Sequence, residues 1–171
     1  MNASALQPLG RSASAIALAM AIATVALAYI ASSSGLVEPN SETVELRQSP
    51  ATVLAIATIN LFQAAGAFFV ASLALATRNP LLRRLAWVLV VLIPVRSAVV
   101  VGIVGATDLS WLWAATRWWA FEYAAIALGT TAAVLLLRSP NPGALQPMAR
   151  LAMPTIIVVL LLGAAIETYS T

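Results

Sequence analysis

Arg96 and Glu122 are charged residues placed where charge is costly, near the middle of the long apolar runs IPVRSAVVV and AFEYAAIAL. A charge in hydrocarbon costs roughly 2.5–3.5 kcal/mol on insertion scales, so each needs a partner or a purpose. Asp108 lies 12 positions after Arg96 and 14 before Glu122, in a short turn between the two runs. On antiparallel helices rising about 1.5 Å per residue, both charges sit ~18–21 Å below that turn. Equal depth and opposite sign predict an ion pair. Asn60 and Gln63, ten and thirteen positions after Pro50, come to nearly the same level and share a helix face.

Two kinds of chemistry suit such a layer. In the first, Arg96 and Glu122 neutralise each other, the amides fill the remaining hydrogen-bond capacity, and the network fixes helix register. In the second, the layer lines a polar cavity that binds an anionic or zwitterionic ligand through Arg96, or relays protons through Glu122. The sequence shows no His, no Lys and no second carboxylate within an apolar run, which disfavours the relay because arginine cannot release a proton. Arg117 stands five residues before Glu122 and points elsewhere. Its expected options are to snorkel outward, to stack on a tryptophan, or to meet Asp108. Gln63 and Tyr123 are conceivable contacts for a quinone headgroup. No nucleophile–base arrangement is visible, so an enzyme is disfavoured.

The missing residue types narrow the chemistry further. The chain has no His and no Cys, and its nine cations are all Arg. Zinc–thiolate sites, protein-ligated haem and iron–sulfur clusters lack ligands, and no lysine can form a Schiff base. No cofactor or metal is expected.

The elements that position these residues follow from composition. Of 171 residues, 61% are hydrophobic and 9% charged, with a mean hydropathy of +0.94. Ordinary globular domains carry about 25% charged residues, so this chain cannot cover itself with a water-compatible surface. It is expected to be a single integral membrane domain, with the lipid bilayer as its first partner. Membrane-protein partners or a homo-oligomer are the further partners expected. Nucleic acid is not, because the arginines lie at membrane edges and form no patch.

Five apolar stretches, near 13–33, 51–77, 82–106, 110–137 and 149–168, are long enough for a ~30 Å core. Ser49-Pro50 and Asn79-Pro80 each place a capping residue before a proline at the first helical position. Asp108 or Ser110 can cap the fourth helix, and SPNPG at 139–143 separates the fourth from the fifth. Putting the N-terminus in the cytoplasm gathers Arg11, Arg78, Arg83, Arg84, Arg138 and Arg150 on that side. The acids then fall on the other, with Arg47 as its one cation outside the apolar runs. The positive-inside rule therefore gives a cytoplasmic N-terminus and an external C-terminus, in a bacterial or archaeal cytoplasmic membrane. A cleaved signal peptide is the competing reading of the first span, but its apolar run is longer than usual. The polar segment from Ser34 to Ser49 is expected to form a short interfacial helix or an extended loop. Four tryptophans, Trp111, Trp113, Trp118 and Trp119, read as an interfacial belt.

Stripes of small residues show where backbones approach. Glu122, Ala125, Gly129 and Ala133 form one, which turns Glu122 toward a neighbouring helix. Ala98, Gly102 and Ala106 form another, away from Arg96, which suggests a central third helix. Asn60, the Gly66-Ala67-Phe68-Phe69 run, Arg96 and Glu122 together resemble the pattern of small DoxX-like membrane proteins, over Val53 to Leu137. That resemblance implies an antiparallel four-helix bundle, with the segment from Leu151 to Tyr169 as an extra fifth helix. Some DoxX-like proteins are membrane subunits associated with quinone-linked oxidoreductases, and others have no assigned role. The sequence reading is thus an all-α bundle of five transmembrane helices, acting as a non-catalytic accessory or scaffold subunit. A small transporter or ligand-binding protein using Arg96 and Glu122 is the alternative.

Overall fold

The computed structural model describes residues 6–35, 48–139 and 141–169, with the side chains of residues 6–9 and 142 left aside. Five helices carry the fold: α1 (Leu6–Ser33), α2 (Pro50–Thr77), α3 (Pro80–Thr107), α4 (Leu109–Arg138) and α5 (Leu145–Tyr169). A short 3-10 turn, Pro142–Ala144, precedes α5. All five helices are long and apolar enough to cross a membrane, and no strand occurs among the described residues. Most of the polar α1–α2 connection, including Glu38, Glu42, Glu45 and Arg47, lies outside the described residues.

The helix ends are set locally. Ser49 Oγ accepts the Thr52 N–H at 3.2 Å, with Pro50 opening α2. Asn79 Oδ1 accepts the N–H groups of Leu81 at 2.9 Å and Leu82 at 3.3 Å, with Pro80 opening α3. Both caps answer donors that a helix start leaves unpaired. Arg78 closes α2 in the left-handed region, at φ 52°. With Asn79 it makes a two-residue reversal into α3.

The helix at the centre is α4, where the small-residue stripe of α3 had suggested α3. It packs against each of the other four, while α5, α2, α3 and α1 follow one another around it as neighbours. In its most apolar 18-residue stretch 61% of residues are buried, against 22–28% for the others. The reason is that α4 carries small residues on more than one face, Ala115, Ala125, Ala127, Gly129, Ala132 and Ala133, all buried. The α3 stripe serves one neighbour: a Cβ on Gly102 would stand 3.0 Å from the Thr24 carbonyl oxygen of α1. At Gly129 the approach is closer still. A Cβ there would fall 1.8 Å from the Ala64 carbonyl oxygen of α2, so only glycine lets these backbones meet. The fifth helix is no appendage, since it packs along α4 and α2 and buries Ala152, Ile156 and Leu160.

These contacts also fix direction. Thr24 meets Ala98 and Leu27 meets Gly102, so α1 and α3 run parallel; Asn60 meets Glu122 and Ala64 meets Gly129, so α2 and α4 do. Arg83, near the start of α3, reaches the Leu137 carbonyl at the end of α4. Alternating helices therefore place Arg11, Arg78, Arg83, Arg84, Arg138 and Arg150 at one edge, and Asp108 at the other.

Candidate functional site

Glu122 sits half-buried on the side of α4 that faces α2, as its small-residue stripe requires. Its partner there is Asn60, whose Nδ2 donates to Glu122 Oε1. Glu167, near the end of α5, lies within electrostatic reach of Glu122 and is itself half-buried. The second carboxylate missing from the sequence reading is therefore supplied by α5. Glu167 falls at the very end of the fifth apolar stretch, 149–168, and its approach to Glu122 arises only through α4–α5 packing.

Arg96 does not join them. It is exposed on the outer face of α3, among exposed Leu92, Val95, Val100 and Ile103. Among the described residues it has no ion pair or hydrogen bond, and the expected Arg96–Glu122 pair does not form. The cause is azimuth rather than depth. Ser97 and Ala98, the next two residues, turn inward against Gln63 and Thr24, which rotates Arg96 outward. Counting along a helix gives depth, but one residue is about 100° of rotation.

Gln63 belongs to a different contact from Asn60, although the two share a helix face. Its Oε1 accepts from Ser97 Oγ of α3 at 3.5 Å, while Asn60 turns to α4. Tyr123 is almost fully buried on the far side of α4. Its hydroxyl lies 2.5 Å from Thr24 Oγ1 of α1, and Thr24 Oγ1 donates to the Ala98 carbonyl of α3 at 3.3 Å. Three helices thus meet at one hydroxyl pair. Thr24 carries no mark of this role in the sequence. An isolated threonine in an apolar span ordinarily bonds its own helix, and nothing local marked this one as different.

The remaining candidates lie toward the Asp108 edge. Arg117 is exposed, with no ion pair or hydrogen bond among the described residues, so the contact with Asp108 is not made. Asp108 caps α4, its Oδ1 accepting from Ser110 Oγ at 2.6 Å, Ser110 N at 2.8 Å and Trp111 N at 3.1 Å. The Ser110 hydroxyl, followed by the Trp111 N–H, holds this carboxyl below the usual carboxylate range. The tryptophans divide. Trp119 is buried, its ring tilted 49° against that of Tyr123 with centroids 4.9 Å apart, and Trp111 packs edge-on against Trp118. Trp113 is the exposed one of these four.

Fold and site together define a multi-pass, all-α integral membrane protein whose polar groups are split between the two sides of its central helix. Comparison with protein-family models, curated proteins and solved structures found no match. Its chemistry is therefore read from its geometry.

Proposed function

We propose that this chain is a non-catalytic accessory subunit of a membrane complex, and that α3 presents Arg96 to an acidic residue on a partner's transmembrane helix. The observation that carries this reading is the position of Arg96. It lies 11 residues from the Thr107 end of a 28-residue helix, so roughly 10 Å inside the nearer boundary of a ~30 Å core. Its outward face is otherwise aliphatic. An unpaired guanidinium at that depth is costly against lipid, and a partner carboxylate removes the cost with a charge-assisted, two-pronged contact. The DoxX-like resemblance, with its membrane subunits of larger assemblies, points the same way. The basic edge is cytoplasmic in this reading, following the positive-inside rule.

The test is co-purification in a mild detergent. The wild-type chain is expected to retain a membrane-protein partner that Arg96→Leu loses. A wild-type chain that is monomeric and partnerless under those conditions rules the reading out.

A second reading rests on Glu122. A half-buried carboxylate with one amide donor and a second carboxylate nearby suits a cationic ligand or an exchanging proton better than an anion. Here Glu122→Gln abolishes uptake or binding of the cation while Arg96→Leu leaves it intact.

A further inference from the structure

The basic edge, away from the central layer, carries a second concentration of polar groups. A cavity of about 280 Å³ opens there between the end of α2, the start of α3 and the end of α4. Its walls are of two kinds. Ala71, Leu75 and Leu136 make an apolar side, and Arg78, Asn79 and Arg83 bring polar groups to the other. That division matches an amphiphile with an anionic head.

Arg78, Asn79 and Arg83 retain donors for a ligand, whereas Ser139, also on the wall, is engaged with Asn141. Arg83 Nη2 donates to the Leu137 carbonyl at 2.7 Å, which fixes the guanidinium in place and leaves its other N–H groups for a ligand. The Asn79 carbonyl oxygen is occupied in capping α3, so its amide NH₂ remains. Arg78 holds the left-handed backbone position where glycine is ordinarily preferred. No carboxylate offsets these charges: among the described residues the acids are Asp108, Glu122 and Glu167, none of which lines the cavity. Neither arginine has an ion pair among the described residues.

We propose that this cavity binds the phosphate of an anionic phospholipid, with Arg78 and Arg83 on the phosphate oxygens, the Asn79 amide beside them, and the lipid's apolar part along the α2 and α4 wall. Basic pockets between transmembrane helices suit lipid headgroups because a fixed cation meets the anionic leaflet at the depth where the phosphates lie. The site is independent of Arg96 and of any partner chain.

The test titrates phosphatidylglycerol into the full chain in a neutral detergent, reading bound lipid by native mass spectrometry and thermal midpoint in parallel. The wild type should hold phosphatidylglycerol and gain stability from it, with phosphatidylcholine giving neither effect. Arg78→Gly suits the backbone at that position, so it should fold as the wild type does without lipid while losing about tenfold in affinity. Arg83→Gln should lose a similar factor. Arg84→Gln, at the same edge but not on the cavity wall, should lose much less. Equal losses for Arg84→Gln and Arg78→Gly would overturn the site, because the effect would then be the general field of the edge. Inorganic phosphate binding as tightly as the lipid would overturn the assignment to a phospholipid.

Discussion

The two mid-bundle charges lie at similar distances from the Asp108 turn, in neighbouring helices, yet one is inside the bundle and the other faces out. Glu122 is on α4, which is surrounded; Arg96 is on α3, which has an outer face. Depth along a helix decides how much a charge costs in a membrane. Rotation about the helix decides who can answer it. Glu122 is answered from within, by Asn60, whereas Arg96 has no ion pair or hydrogen bond among the described residues. The inner side of the comparison should be sensitive to small changes and the outer side tolerant of them.

The largest effect is expected at the contact that makes the inner side possible. Gly129→Val would place a Cβ at 1.8 Å from a backbone oxygen of α2, which no side-chain rotation relieves. It should cost about 3 kcal/mol or more, by thermal or detergent unfolding. Gly66→Ala is the control, since its Cβ meets only Ile93 Cδ1 at 3.5 Å, an ordinary contact. A Gly129→Val protein as stable as the wild type would mean that α2 and α4 do not approach in this way.

Next comes the answer to Glu122. Asn60→Leu removes its amide donor and leaves a half-buried carboxylate without one, at about 1.5–3 kcal/mol. Adding Glu122→Leu to that variant should recover most of the loss, because the stranded group is then gone. If the double variant is worse than Asn60→Leu alone, Glu122 has another partner. On the other side of α4, Tyr123→Phe breaks the Thr24 contact and should cost about 0.6 kcal/mol and no more than about 1.7, the average and maximum for interhelical hydrogen bonds in a membrane protein. Unchanged stability would show that the Thr24 hydroxyl is satisfied by Ala98 alone.

The sequence made the number of helices legible, because apolar length and capped breaks at Ser49-Pro50, Asn79-Pro80 and Asp108 are local signals. The inward face of Glu122 was legible too, through the small residues at its own helix spacing. What was not legible was which helix sits at the centre. Small-residue stripes on α3 and α4 look alike in one dimension, and only mutual packing shows that α4 uses several faces. The same limit hid Thr24 and Glu167, each of which acquires its role from another helix. Arg96 shows the limit most sharply. Its depth and sign suited Glu122, but the pair needed an inward rotation that Ser97 and Ala98 take instead.

A smaller effect is expected at the Asp108 edge, outside both halves of the comparison. The Asp108 carboxyl is held below its ordinary range, so it binds protons less readily folded than unfolded. Its contribution is full above its ordinary value of about 3.9 and is lost as pH falls through the lower folded value. Wild-type stability should therefore dip on acidification in that window, and Asp108→Asn should flatten that dip. A dip of the same size in the variant would show that Asp108 is not the source of the acid sensitivity.

The smallest effect on the isolated chain is expected at Arg96, and it bears most directly on the comparison. If Arg96 answered Glu122, Arg96→Leu would strand a carboxylate and cost 3–5 kcal/mol, the usual result of breaking a buried pair. With Arg96 outward and bonded to nothing among the described residues, the same substitution should change detergent stability by no more than about 0.5 kcal/mol. In a bilayer it should raise stability, since a lipid-facing cation gives way to an aliphatic side chain. A large loss in detergent would return Arg96 to the interior and Glu122 to it as a partner. A null result there, together with loss of a co-purifying protein, would place the need for Arg96 entirely at an interface with another chain.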